Sequence, residues 1–232
     1  MSKELKIENK FVSVFCNEKH KENIPVIILN TYGNEGKEVF ERCNKIQTKD
    51  FILIAISNLD WDNDMTPWFA PKLNNNDKDC LGKADDYLKT LLEKIIPETK
   101  KYIENELNEK ISYYAIAGYS LGGLFAIYSA YRTNLFSRIA SASGSFWYPN
   151  FIEFVNKNKI SENIDKIYML RGEITGSAVQ ILKLAADKKI VVSRVDKKKL
   201  DYITATKVHQ GVAAKLSLRE YVHVEDIIAY AE

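Results

Sequence analysis

Histidine is scarce. His20, His209 and His223 are the only three in 232 residues, so any imidazole base this chain supplies is one of them. Cysteine is as rare: Cys16, Cys43 and Cys80 are odd in number and lack C-x-x-C spacing, which argues against a disulfide framework or a zinc site. Reduced thiols in a cytoplasmic protein are the simplest reading. Ten Gly and five Pro are too few for a low-complexity chain, so most of the length is expected to pack. No apolar run approaches the roughly 18 residues of a membrane span, and the longest, Phe51 to Ile56, is strand-sized. The segment Met1 to Lys6 lacks the apolar core of a signal peptide, which agrees with a cytoplasmic location and no membrane partner. Charge of one sign is lacking too: the net is +2, with a surplus of three positive charges in residues 165–232 and a deficit of one in residues 1–164. That imbalance alone does not argue for nucleic acid.

What is present is an alternation of strand-like and helix-like segments. Phe11 to Phe15 alternates as a strand does. Pro25 to Asn30, Phe51 to Ile56 and Tyr113 to Gly118 are apolar nearly throughout, as expected of central strands covered on both faces, and Ser137 to Ser143 is a weaker fourth run. Between them lie a short helical segment around Val39–Cys43 and a helix over Ala84–Leu107 that Pro97 is expected to bend or split. Leu121 to Tyr131 is almost wholly apolar and reads as a buried helix. Lys166–Leu170, Ile190–Val195 and Gly211–Leu216 read as further strands, with helices over Ser177–Lys188, Lys197–Ile203 and Val224–Tyr230. This order predicts an α/β fold with a doubly wound, mostly parallel sheet.

The strongest local signal is Gly118-Tyr119-Ser120-Leu121-Gly122-Gly123, a G-x-S-x-G run between an apolar strand and a buried helix. That context makes it a nucleophile elbow, in which a sharp turn exposes the serine hydroxyl and the glycines avoid collision with neighbouring backbone. A serine nucleophile also needs a base, a carboxylate to hold that base, and two N–H donors for the oxyanion. Leu121, just after Ser120, is one expected donor. Thr31 or Tyr32, in the turn after Asn30, is the other, with Tyr32 preferred.

Asn30-Thr31-Tyr32-Gly33, Trp61 to Asp64, Pro67-Trp68-Phe69-Ala70-Pro71, Ala117 to Leu124 and Ser141-Ala142-Ser143-Gly144-Ser145-Phe146-Trp147-Tyr148-Pro149 follow one another in the order seen in a bacterial esterase group. Over about residues 10–168 the chain resembles that group, which is related to esterase D and to the enterobactin-type siderophore esterases. The resemblance implies an α/β-hydrolase core, hydrolysis of a small-molecule carboxylic ester by a serine triad, no cofactor and no metal. It also places Trp61 and Trp68 near the substrate, although both could equally be packing residues. In those esterases an acidic turn and then a Gly-His segment complete the triad. Arg171-Gly172-Glu173 keeps the acidic turn in outline, but no Gly-His pair follows.

From about Asn163 the chain resembles a different family. Ile164 to Glu173, Ile190 to Leu200 and Val208-His209-Gln210-Gly211-Val212-Ala213-Ala214 look like the substrate-binding domain of ribose 2′-O-methyltransferases acting on RNA. That family's S-adenosylmethionine-binding domain has no counterpart here, so the resemblance implies weak RNA contact rather than methyl transfer. Lys197-Lys198-Lys199 is either a solvated helix face or a phosphate contact. The two resemblances suggest a chimera of an esterase core, residues 1–164, and a methyltransferase-like segment, residues 165–232, that supplies the last strands and helices of the sheet. A natural fusion, a designed recombinant and an assembly artefact all fit such a join. The resulting expectation is a serine esterase acting through Ser120 and impaired by loss of the family's histidine. The alternatives are a protein without catalysis and an RNA-binding module. Glu173 and His209 are the remaining candidates for acid and base, in the chain order Ser, acid, His. His20 lies in a polar loop, and His223 sits in an apolar–polar run of its own.

Overall fold

The computed structural model describes residues 2–17, 23–72 and 78–170. Among the described residues seven strands form one sheet: β1 (Ser2–Ile7), β2 (Lys10–Phe15), β3 (Ile24–Asn30), β4 (Ile52–Ser57), β5 (Ile111–Tyr119), β6 (Phe136–Ala142) and β7 (Lys166–Leu170). Their spatial order is β1-β2-β4-β3-β5-β6-β7. β1 and β2 run antiparallel to each other and β2 antiparallel to β4, while every other neighbouring pair is parallel. β4 is buried at every residue and β3 at all but Pro25, which is why both read as unbroken apolar runs. β1 alternates exposed and half-buried residues, as an edge strand open to water on one face does; its charges hide the period, and the sequence gives no strand signal there.

Side-chain alternation divides the core into two layers. Ile28, Ile54 and Ile116 point to one face, and Ile27, Leu29, Leu53, Ala55, Ala115 and Ala117 to the other. The second face is covered by α1 (Gly36–Lys45) through Phe40 and Cys43. The first is covered by α3 (Ala84–Thr90), α4 (Ile96–Asn105), α5 (Leu121–Ser129) and α6 (Phe151–Lys157); a four-residue turn of helix, α2 (Trp61–Asp64), precedes them. Pro97 neither breaks nor sharply splits the helical stretch. The chain passes from α3 to α4 through one π-helical turn, Leu91–Ile95, and Pro97 sits in the first turn of α4. A wider turn accommodates the proline ring and its missing N–H without ending the helix. Helix α5 is buried at all nine residues, as its composition predicts.

β7 joins the sheet as expected, in parallel register with β6 from Arg138↔Lys166 to Ala142↔Leu170. The segments expected beyond it, including Ile190–Val195 and Gly211–Leu216, lie outside the described residues. Chain order reverses between β3 and β5: β4 lies on one side of β3, and the chain then crosses to β5 on the other. Such a switch point opens a crevice at the carboxyl ends of its strands.

Candidate active site

Ser120 stands at that crevice, between β5 and α5, with φ 51° and ψ −123°. A β-carbon-bearing residue adopts such angles only under constraint, at a cost of about 1–3 kcal/mol. The constraint is visible. The Ser120 N–H donates to the Ala142 carbonyl at 3.0 Å, and the Ser120 carbonyl accepts from the N–H groups of Ser145 at 3.0 Å and Leu124 at 3.1 Å. The residue is exposed although its neighbours on both sides in space are packed. Gly118 lets strand and helix meet: a β-carbon there would lie 2.3 Å from the Gly122 carbonyl oxygen. At Gly122 it would lie 2.9 Å from the Trp61 ring.

The N–H groups that open α5, Leu121 first, have no carbonyl one turn back to receive them, and they face the end of the helix that attracts negative charge. The opposing turn after β3 is more committed. The Thr31 N–H donates to the Ile56 carbonyl at 2.9 Å, extending the β3–β4 ladder. The Gly33 N–H donates to the Glu35 carboxylate at 3.1 and 3.2 Å. The Tyr32 N–H donates to the Tyr119 hydroxyl at 2.9 Å, and that hydroxyl in turn donates to Glu35 Oε1 at 3.2 Å. Of the two oxyanion candidates in this turn, Thr31 has its N–H tied into the sheet ladder, and only Tyr32 has a donor held by a side-chain hydroxyl that a stronger acceptor can displace. Burial, with the Glu35 carboxylate adding to it, pushes the Tyr119 phenol up to about 12, so it stays protonated across the neutral range.

Trp61 joins the two halves. Its ring meets Tyr119 at 5.4 Å and Tyr32 edge-on at 5.6 Å. α2, which carries Trp61, is pinned from below: Asp64 accepts from the Asp60 N–H at 3.0 Å and from the buried ammonium of Lys10. Beside it the Tyr87 hydroxyl donates to Asn30 Oδ1 at 2.5 Å, under the start of the Tyr32 turn. Trp68 is placed differently. Its ring packs with Tyr128, Tyr148, Phe151 and Phe154, and its Nε1–H donates to the Pro149 carbonyl at 2.8 Å, the contacts of a packing residue.

The structure thus brings Ser120, Leu121, Tyr32 and Trp61 together at one crevice. His20, Glu173, His209 and His223 lie outside the described residues. Among the described residues no group of acidic, cysteine or histidine side chains could hold a metal ion, and no helix is long and apolar enough to cross a membrane. Ser145 meets Ser120 hydroxyl to hydroxyl at 3.4 Å; it lies within the Ser141–Pro149 motif, but the sequence assigns it no role.

The fold is that of an α/β-hydrolase. An IroE-like serine hydrolase from Shewanella oneidensis superposes with a TM-score of 0.60 at 18% identity, covering 82% of this chain and 68% of that one. An uncharacterized protein of Bacillus subtilis, YbbA, is 27% identical over 163 residues, 66% of this chain and 64% of that protein. The C-terminal part has a different relationship. Residues 150–222 match the family described as RNA 2′-O ribose methyltransferase substrate binding. A B. subtilis protein named as a TrmH family tRNA/rRNA methyltransferase, YacO, is 32% identical over 84 residues, 34% of this chain. The chain spans 64% and 33% of the lengths of these two relatives. The methyltransferase-like match begins at residue 150, before the expected join, and so takes in α6 and β7, the latter hydrogen-bonded to β6 in the same sheet.

Proposed function

We propose that this chain is a serine-dependent carboxylic-ester hydrolase with Ser120 as its nucleophile. The observation that carries the proposal is the clamped, positive-φ conformation of Ser120 at the end of β5, beside the unsatisfied N–H groups of α5. The shared fold of the Shewanella protein, described as an IroE-like serine hydrolase, supports the same reaction class. In the proposed reaction Ser120 Oγ attacks the ester carbonyl carbon as its proton passes to a base. The carbonyl oxygen becomes an oxyanion held by the Leu121 N–H and by the Tyr32 N–H, which exchanges the Tyr119 hydroxyl for it. Collapse expels the alcohol, which takes the proton back, and water then cleaves the acyl-Ser120 by the same steps in reverse order.

His209 is the candidate base and Glu173 the candidate acid. His209 belongs to a motif shaped for another site, and we propose that the chain works without an efficient base, as an impaired esterase. Hydrolysis of p-nitrophenyl butyrate by the full chain, compared with Ser120→Ala and His209→Ala, tests this. The expected result is slow turnover that is lost in Ser120→Ala and little changed in His209→Ala. Equal turnover by wild type and Ser120→Ala would sink the nucleophile assignment; a loss of several powers of ten in His209→Ala would show a working triad.

The match of residues 150–222 favours a second reading, weak RNA contact through residues 165–232 in a cytoplasmic chimera. Binding of a ribosomal RNA fragment that weakens steeply between 50 and 200 mM salt supports it. Absence of binding at 50 mM removes it.

A further inference from the structure

The loop leaving β6 is built to press one side chain against Ser120. Ser143 takes a positive φ of 49°. Gly144 has no room for a side chain: a β-carbon there would fall 2.4 Å from Ser141 Oγ and 2.5 Å from the Phe146 ring. The Ser145 N–H is spent on the Ser120 carbonyl, and the Ser145 carbonyl accepts from the Tyr148 N–H at 3.0 Å. The result is a serine only 4% exposed whose hydroxyl, among the described residues, has Ser120 Oγ as its partner, at 3.4 Å. Ordinary O–H···O bonds are about 2.7–2.8 Å, so this buried hydroxyl is under-satisfied in the resting state. Holding it there takes a strained backbone and a glycine, which space-filling alone does not require.

We infer that Ser145 is a positioning residue whose hydroxyl donates to Ser120 Oγ, orienting the nucleophile and stabilising the negative charge that grows on it as its proton leaves. The inference rests on Ser120 being the nucleophile. Ser120 Oγ has two lone pairs: one attacks the carbonyl carbon and the other accepts from Ser145. Hydrogen bonds to an oxyanion shorten to about 2.5–2.7 Å and strengthen, so the long resting contact becomes a strong one as charge develops. After acylation Ser120 Oγ is an ester oxygen, a poor acceptor, and the bond relaxes. No proton is transferred to or from Ser145 at any stage. A site with a weak base gains most from such a donor, because more of the alkoxide character must develop before the proton is taken up.

The test reads the reactivity of Ser120 itself. An alkyl fluorophosphonate phosphonylates an activated serine with loss of fluoride, and the second-order rate is measured on the full chain alongside the melting temperature. Ser145→Ala is expected to label about tenfold more slowly than wild type, equivalent to about 1.4 kcal/mol, at one equivalent on Ser120 when driven to completion. Ser145→Thr and Ser145→Val share one shape, and the same tenfold gap is expected between them whatever the added methyl does to stability. Equal labelling of wild type and Ser145→Ala, or of the Thr and Val variants, overturns the inference and leaves Ser120 in place. A wild-type chain that is never labelled at Ser120 overturns the nucleophile reading and this inference together.

Discussion

Replacing Gly118 by alanine probes the elbow without touching a reacting group. The new methyl would lie 2.3 Å from the Gly122 carbonyl oxygen, 2.4 Å from its carbon and 2.9 Å from the Gly123 nitrogen. Non-bonded heavy atoms settle near 3.5 Å, so the first turn of α5 must retreat from β5 by about 1 Å. All three obstacles are backbone, and no rotamer change relieves them. Overpacking of this kind costs about 1–3 kcal/mol. At about 2–4 °C per kcal/mol for a chain of this size, the melting temperature should fall by about 2–12 °C. The loss of function should be larger, because Ser120 and the Leu121 N–H both sit at the displaced junction and a 1 Å misplacement can cost about 100-fold. Gly33→Ala is the control: its methyl would meet only the movable Glu35 carboxylate, at 3.3 Å. Thermal melts and p-nitrophenyl butyrate turnover are compared for the two variants. A Gly118→Ala chain with wild-type melting and wild-type turnover would refute the close-approach argument.

Three further predictions concern the surroundings. Tyr119→Phe removes the acceptor that the Tyr32 N–H must give up to an oxyanion; a neutral hydrogen bond is worth about 1 kcal/mol net, so ester kcat/KM should rise by up to about fivefold, and a fall would mean that the hydroxyl serves to hold the turn. Lys10→Met strands the Asp64 carboxylate, whose side chain is only 12% exposed, and should cost about 3–5 kcal/mol in urea unfolding. Adding Asp64→Leu should recover most of that loss, whereas additive losses would contradict a coupled pair. Tyr114, Tyr119, Tyr131 and Tyr148 are each pushed up to about 12 by burial, against about 10 in an unfolded chain. Their contribution to stability is therefore complete below about pH 10 and lost as pH rises toward 12; a urea midpoint unchanged between pH 9 and pH 11.5 would contradict it.

Legibility followed the range of the interactions. β3, β4 and β5 were readable because strands covered on both faces must be apolar at consecutive residues, and Ser120 because its turn needs glycines at fixed offsets. β1 was missed because its exposed residues are Ser2, Glu4 and Lys6 and Lys3 shares the half-buried face, and because pairing with β2, rather than its own pattern, makes it a strand. α6 was missed because Phe151–Lys157 is short and falls between the motif that ends at Pro149 and the next strand. The Tyr119–Glu35 contact and the Ser120–Ser145 contact span 84 and 25 residues of sequence, and no local pattern says that these residues meet. Trp61 and Trp68 look alike in sequence; only the fold distinguishes the ring against Gly122 from the ring packed under Pro149.

The central claim is that Ser120 is the activated hydroxyl of this chain, and peptide mapping after fluorophosphonate treatment tests it most directly. The full chain is incubated with the reagent, digested, and the modified residue located by tandem mass spectrometry. The account predicts a single phosphonyl adduct on Ser120, absent when the chain is unfolded in urea before treatment. An adduct confined to another residue, or an unmodified Ser120 in the folded chain, would contradict it.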